Sequence, residues 1–298
     1  MKHKILTALL VAFVAVANAQ QLQTSSMYDM QGILHNPSMA GMQQTNLIGV
    51  SYRSQWAGIS GSPKTATVFG SWDLPKQAIG IGGYVYQDKT GPTSRTGIQL
   101  SLAKHIVMDE KGTLSLGLET RLQQYALDKT KLSATLGNDP VLGTSDSRFK
   151  YDAGFGIAYN RKNLTIGASV SQLVQSKLNF YSGNLTTNEE AMLYRHYYFH
   201  GQYNWKVDEV TVITPNALVI YLPNAPVSYQ VGARMEHNKT FWWGLGYRSH
   251  QSFMLSAGLH INKKFTLGYG YDDYISPISN FDNGASGHEV LLRYNFAK

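Results

Sequence analysis

The sequence predicts an all-β chain, a transmembrane antiparallel up-and-down β-barrel of about fourteen strands, and three observations lead there. The first is the run Gly287-His288-Glu289-Val290-Leu291-Leu292-Arg293-Tyr294-Asn295-Phe296, which alternates polar with apolar or aromatic residues. A barrel strand meets lipid on one face and the lumen on the other, so it must alternate with period two. In that phase His288, Val290, Leu292, Tyr294 and Phe296 face out, while Glu289, Leu291, Arg293 and Asn295 face in. A half-buried strand of a soluble sandwich carries the same pattern, so repetition along the chain is the second observation. The third is an export signal at the N-terminus.

In chain order, Met1-Lys2-His3-Lys4 is a basic n-region, Ile5 to Ala17 is apolar, and Ala17-Asn18-Ala19 is a small-x-small cleavage site. Residues 1–19 thus read as a secretory signal peptide, whose removal would leave 298 − 19 = 279 residues from Gln20. The apolar run is too short to span a membrane as a helix, and no later segment reaches the roughly 18 residues required. Residues 20–44 follow as an N-terminal segment, periplasmic or lumenal, and 45–298 as the barrel. The chain has no cysteine, which excludes disulfides and a lipoprotein anchor.

Period-two segments bounded by turn residues run approximately over 45–54, 64–73, 77–87, 93–107, 112–124, 150–161 and 163–171. They continue over 195–207, 209–222, 226–237, 240–249, 251–261, 264–273 and 287–296. Val227, Tyr229, Val231, Ala233 and Met235 are one greasy face; Phe253, Leu255, Ala257, Leu259 and Ile261 are another. Asn160-Arg161-Lys162-Asn163, His237-Asn238-Lys239 and Asn262-Lys263-Lys264 read as short periplasmic turns. The polar stretches 125–149, 172–194 and 274–286 read as extracellular loops. At Gly82-Gly83 outward Ile79 and Ile81 give way to Tyr84 and Tyr86, which predicts a bulge. Trp56, Trp72, Tyr84, Tyr86, Tyr159, Trp205, Phe241, Trp243, Tyr247, Tyr269 and Tyr271 fall near strand ends, as interfacial girdles require; a sugar-binding platform is the alternative.

Composition agrees: 28 Gly, 19 Tyr and only 15% charged residues suit alternating strands of an exported protein. The net charge of +7, or +5 without Lys2 and Lys4, comes from scattered residues, so nucleic acid is not indicated as a partner. Outer-membrane lipid is.

Three sequence blocks are not generic. They are Arg53-Ser54-Gln55-Trp56-Ala57-Gly58-Ile59-Ser60-Gly61-Ser62-Pro63-Lys64-Thr65, then Gln87-Asp88-Lys89-Thr90-Gly91-Pro92, and Tyr269-Gly270-Tyr271-Asp272-Asp273-Tyr274 with Gly287-His288-Glu289. Together they resemble the PorP/SprF family of type IX secretion system outer-membrane proteins, in order and over essentially the whole mature chain. Asn36-Pro37-Ser38-Met39-Ala40-Gly41 is similar to that family's entry motif, with Ser38 in place of the usual small residue. The resemblance implies an integral outer-membrane component that supports secretion and surface attachment of a cognate large protein, often a gliding adhesin, by accepting its C-terminal sorting domain. It also implies a periplasmic peptidoglycan-binding partner.

Residue chemistry bounds the roles of these positions. Gly58, Gly61 and Pro63 would shape the connection between the first two strands, Pro63 lacking an N–H for a central ladder; structure is the plainer role for this block, binding the alternative. Arg53, Glu119, Arg121, Asp152, Arg234, Glu236, Arg248, Asp272, Glu289 and Arg293 all phase inward. They form either a lumenal plug network that also receives the mature N-terminus, or ordinary satisfied lumen side chains.

No catalytic motif is present: no Gly-x-Ser-x-Gly, His-Glu-x-x-His, Walker loop or Rossmann fingerprint. His196 and His200 share a strand face but stand about 13 Å apart, too far for one metal, and no cofactor is expected. A lipid-facing Ser/His pair using outward His288 is the one enzymatic alternative. Two non-enzymatic classes compete: the secretion component, and a diffusion or ligand-uptake channel for small solutes.

Overall fold

The computed structural model describes residues 24–42, 46–109, 112–131, 146–177, 193–223, 225–281 and 283–296. The signal peptide read at 1–19, and the middles of the loops read at 125–149 and 172–194, lie outside the described residues. The wall begins with β1 (Leu47–Ser54), β2 (Lys64–Leu74), β3 (Ile79–Thr90), β4 (Thr93–Asp109), β5 (Gly112–Leu127), β6 (Asp146–Arg161), β7 (Leu164–Ser171) and β8 (His196–Tyr203). It continues through β9 (Trp205–Lys206), β10 (Thr211–Tyr221), β11 (Ser228–His237), β12 (Phe241–Arg248), β13 (Ser252–Ile261), β14 (Phe265–Tyr274) and β15 (Gly287–Asn295).

Each strand pairs antiparallel with its sequence neighbours, and β15 pairs with β1 to close the ring. The segment expected as one strand at 195–207 is interrupted at Asn204: β8 and β9 both pair with β10. The ring therefore has fourteen staves, closed by β15 against β1, while β9 pairs on one side only and β6 meets β7 only over 155–161.

Burial is inverted relative to a soluble protein. Outward Val50, Val68, Leu100, Leu118, Leu245 and Leu292 are exposed, while inward Gln99, Ser101, Ser115, Gln123, Thr165 and Thr266 are buried. Lipid covers the first set and the second lines the lumen, the arrangement that alternating strands allow. No helix among the described residues is long and apolar enough to cross a membrane; the crossing is made by strands.

The two ends of the barrel differ. At the end that holds both chain termini of the ring, connections are short. Asn238-Lys239 and Asn262-Lys263 have positive φ at both central residues, the twist that two-residue hairpin turns need. Between β9 and β10, the Asp208 carboxylate accepts the backbone N–H groups of Val210 (2.8 Å) and Thr211 (2.7 Å). These bonds, that to Val210 foremost, hold the Asp208 carboxyl below its ordinary range. The opposite end carries the longer connections 55–63, 128–145, 172–195 and 275–286, and β4, β5 and β6 rise toward it as the longest strands.

Two sequence expectations are corrected. No bulge lies at Gly82-Gly83: β3 is in unbroken register with β2 and β4, and the irregularity falls instead at Val107/Asp109 between β4 and β5. Gly83, not Tyr84, continues the outward row of Ile79, Ile81 and Val85. A glycine carries no hydropathy, so the phase across it was unreadable. Tyr84 and Tyr86 consequently point inward and are buried, and are not girdle residues.

Residues 24–42 fill the lumen. Three 3₁₀ turns, Tyr28–Met30, Gly32–Leu34 and Pro37–Met39, fold this segment into a plug. Met27, Met30, Ile33 and Ala40 pack with Phe69, Tyr84, Tyr86, Ala103, Trp242 and Leu291 of the wall as one apolar cluster. Tyr28 packs with Leu218, Ile220 and Met254 in a second. Each buried Met or Ile contributes about 1.5–3 kcal/mol, so the plug is held by an apolar core as well as by polar contacts.

Candidate functional site: a plugged lumen and its loop-end rim

The plug fits because the wall makes room for its backbone. A Cβ on Gly80 would stand 1.8 Å from the Ala40 carbonyl oxygen, on Gly117 2.2 Å from Ser38 N, and on Gly156 2.1 Å from Asn36 Oδ1. Such distances are far inside van der Waals contact, so glycine is required where wall and plug backbones touch. The contact is reciprocal at Gly41, whose φ is +65° and where an added Cβ would stand 2.7 Å from Gly80 Cα, so no side chain is admitted.

Asn36 starts the last 3₁₀ turn: its Oδ1 accepts from Ser38 N (3.0 Å) and Ser38 Oγ (2.6 Å), with buried Pro37 in the first helical position. Its amide meanwhile lies 2.8 Å from His200 Nε2 and donates to the Ile157 carbonyl at 3.2 Å. Ser115 Oγ donates to the Ser38 carbonyl (2.8 Å) and Ser169 Oγ to that of His35 (2.5 Å). The segment's polar backbone is thus satisfied by the wall, as burial demands.

Near the loop end the plug is tied by charge. Arg53 Nη2 pairs with Asp272 Oδ2, Arg53 Nη1 lies 3.2 Å from Glu289, and Arg248 lies 3.0 Å from Asp272; these side chains are at most 4% exposed. Two guanidiniums and two carboxylates balance, so no net charge is buried. The plug joins this cluster directly: Ser26 N–H donates to Glu289 (2.7 Å) and Ser26 Oγ to Asp272 (2.7 Å). Ser25 Oγ donates to Glu289 at 2.6 Å, and Arg248 donates to the Ser25 carbonyl at 3.2 Å.

The other inward charges stand apart from it. Arg121 pairs with Glu119 at 2.9 Å and donates to Gln99, while Arg234 pairs with the plug's Asp29 at 3.0 Å. Arg293 reaches only the Met30 carbonyl, at 3.5 Å. Glu119, Arg121, Arg234, Arg248 and Arg293 are therefore distributed over separate contacts rather than joined in one network. A cavity of about 270 Å³ remains on the turn side of the plug, bounded by Arg234, Glu236, His260 and Arg293, and a smaller one of about 80 Å³ lies between the plug and Tyr84, Tyr86, Arg95 and Arg121.

The three sequence blocks come together at the loop-end rim of adjacent strands β14, β15, β1, β2, β3 and β4. Gln55 N–H donates to the Pro63 carbonyl, Gly91 N–H to that of Gly61 (2.7 Å), and Ala57 N–H to that of Ser286 (2.9 Å). Trp56 packs on Tyr274 with ring centroids 6.3 Å apart. Asp88, inside, accepts from Thr65 Oγ1 at 2.7 Å and lies 3.6 Å from Arg95. Gly58 lies on the exposed part of this connection and Pro92 follows Gly91, its carbonyl accepting from Asp128 N–H. Lys64 and Lys89 are exposed and directly paired across strands.

Tyr271 OH donates to Ser286 Oγ at 3.1 Å. His288 has Tyr269 OH 2.6 Å from Nδ1 and the Ala285 carbonyl 2.9 Å from Nε2. Both ring nitrogens are occupied without a serine. No group of three or more metal-ligating side chains occurs among the described residues. Sequence reasoning missed Ser25, Ser26, Tyr28, His35 and Trp242, because neither the plug's short turns nor an isolated inward tryptophan carries a periodic signal.

The family model described as type IX secretion system membrane protein PorP/SprF matches residues 17–294. The chain belongs to this family. It is accordingly an integral outer-membrane β-barrel of the type IX secretion system; in such barrels short turns as a rule lie in the periplasm and longer loops outside. Among solved structures this PorP/SprF protein is similar to the Ralstonia pickettii toluene transporter TbuX, at 10% identity and TM-score 0.51, covering 89% of this chain and 92% of that one. It is also similar to the CymD monoaromatic hydrocarbon channel, at 11% identity and TM-score 0.50, covering 89% and 91%. At these identities the likeness concerns the barrel fold alone. No curated protein matches the chain in sequence.

Proposed function

We propose that this protein supports secretion and cell-surface attachment of a cognate large protein by binding that protein's C-terminal sorting domain at the extracellular rim. The observation that carries this reading is the filled lumen: residues 24–42 occupy it and bond to the wall from Ser26 to Gly41. A barrel closed by its own chain is a poor conduit, which leaves its ends as working surfaces. The gathering of the three family blocks at the extracellular rim supports the docking side. A peptidoglycan-binding protein at the periplasmic turns would hold the assembly to the cell wall.

A second reading is an uptake channel for small solutes, in which the plug moves. The cavities on either side of the plug favour it, as do the hydrocarbon and toluene substrates named for the two similar barrels.

The test is an affinity tag in the connection between β5 and β6, gentle solubilisation of native outer membranes, and mass spectrometry of what co-purifies. A large surface protein that keeps its C-terminal domain is the expected partner. Recovery of the barrel alone, with measurable conductance in planar bilayers, would overturn this proposal in favour of the channel.

A further inference from the structure

Lys64 and Lys89 are directly opposite one another on β2 and β3 and point outward, away from the lumen. Two rungs below them the lipid-facing row is apolar, with Val50, Val68, Val85 and Ile98 exposed on the outer surface, and the rung between reads Tyr52, Ala66, Gln87 and Thr96. Above Ala66 and Gln87 the next outward rung reads Ser54, Lys64, Lys89 and Ser94 across four adjacent strands. One rung is two residues, about 7 Å, so the lysines stand roughly 14 Å above the wholly apolar row, beyond the mixed rung of Tyr52, Ala66, Gln87 and Thr96, at the height of the headgroups.

Like charges directly opposite in a ladder repel, and no ion pair among the described residues offsets this pair. Neither lysine has a carboxylate within ion-pair distance among the described residues. Asp88, adjacent in sequence to Lys89, faces the lumen and is held by Thr65 and Arg95. Beside the lysines the connection from Ala57 to Ser62, with Gly91, encloses an open groove of about 560 Å³ walled by small residues. Gly61 and Gly91 fix its floor through the Gly91 N–H to Gly61 carbonyl bond. A doubly cationic, open groove at headgroup height suits a phosphate ester in charge and leaves room for the sugar that carries it.

The geometry points to Lys64 and Lys89 as a binding site for the phosphorylated headgroup of an outer-leaflet glycolipid, seated in the groove beside Gly61. The site lies outside the lumen, on the lipid-facing side of the same rim, and it fixes the height and rotation of that rim in the membrane.

Native mass spectrometry of the full-length protein, extracted in mild detergent, tests this with bisphosphorylated lipid A as the added probe and dephosphorylated lipid A as its control. The wild type is expected to retain the bisphosphorylated form alone. Lys64→Ala/Lys89→Ala should lose retention roughly tenfold, and Lys64→Arg/Lys89→Arg should keep it. Heat-modifiable gel mobility confirms that each variant is a folded barrel. Equal retention by wild type and the double-alanine variant would overturn the assignment, as would equal retention of the dephosphorylated lipid. So would displacement by millimolar inorganic phosphate, which would mark a free-anion site. A ten-residue glutamate peptide that binds the wild type and loses affinity in the double-alanine variant, while lipid retention is unchanged, would assign the lysines to an acidic protein partner instead.

Discussion

Arg53 on β1 and Asp272 on β14 form an ion pair inside the lumen that reaches across the intervening strand β15, whose Glu289 takes the other Arg53 amine at 3.2 Å. Ser26 of the plug donates to both carboxylates. The barrel seam and the plug therefore share one set of charges. Asp272→Asn would leave Arg53 and Arg248 with Glu289 alone, an uncompensated buried cation that costs about 3–5 kcal/mol. The expected result is a lower thermal midpoint in detergent, read by loss of the folded gel mobility. Asp272→Asn combined with Arg248→Met, which removes the surplus cation, should recover part of the loss. A midpoint equal to wild type in Asp272→Asn would contradict the shared-charge account.

Gly117 tests the plug without touching the ladder. Its inward Cβ position lies 2.2 Å from Ser38 N, so Gly117→Val must displace the plug, whereas an extended strand tolerates valine well. The variant is expected to fold with wild-type thermal mobility and to conduct more than the wild type in planar bilayers. Unchanged conductance would mean that the plug can relax around an added isopropyl group.

The wall was legible in the sequence because lipid on one side and a polar lumen on the other leave a period of two, which Tyr229, Val231 and Ala233 alternating with Gln230, Gly232 and Arg234 state plainly. It failed where a residue has no side chain to carry the phase, as at Gly82-Gly83, and where an inward side chain is aromatic, as at Tyr84, Tyr86 and Trp242. Apolar residues inside the lumen exist because the plug brings its own apolar surface, Met27, Met30 and Ile33, to meet them. That surface sits on three-residue turns, too short for any periodicity to register. Asn36-Pro37 stood out only through the family resemblance, and only the fold reveals that this asparagine caps a 3₁₀ turn and also grips His200 and the β6 backbone.

Asp208 gives a pH dependence at the periplasmic turn. Its carboxyl is held below the ordinary carboxylate value of about 3.9 by the Val210 and Thr211 N–H groups. A depressed carboxyl stabilises above its unfolded value and loses that contribution as pH falls through the folded one. Hydrogen exchange at Val210 and Thr211, corrected for intrinsic rates, should therefore be slow at neutral pH and lose protection only as pH falls below the ordinary carboxylate value, through the depressed one. Asp208→Ala should remove the protection at every pH, and persistent pH dependence in that variant would assign the titration elsewhere.

Asn36 separates plug stability from barrel stability. Asn36→Ala removes the cap of the 3₁₀ turn, worth about 1 kcal/mol, and also strips a donor from the Ile157 carbonyl and from His200. Buried acceptors left without a donor cost about 1–3 kcal/mol more. The apolar cluster of Met27, Met30 and Ile33 stays in place, so the plug should remain seated but open more often. Local opening scales exponentially with this loss, so amide exchange across 37–41 should quicken by at least tenfold, since about 1.4 kcal/mol is a factor of ten. Exchange in β13 and β14, which do not touch Asn36, should stay at the wild-type rate. Uniform acceleration in plug and wall together would show instead that the two unfold as one cooperative unit.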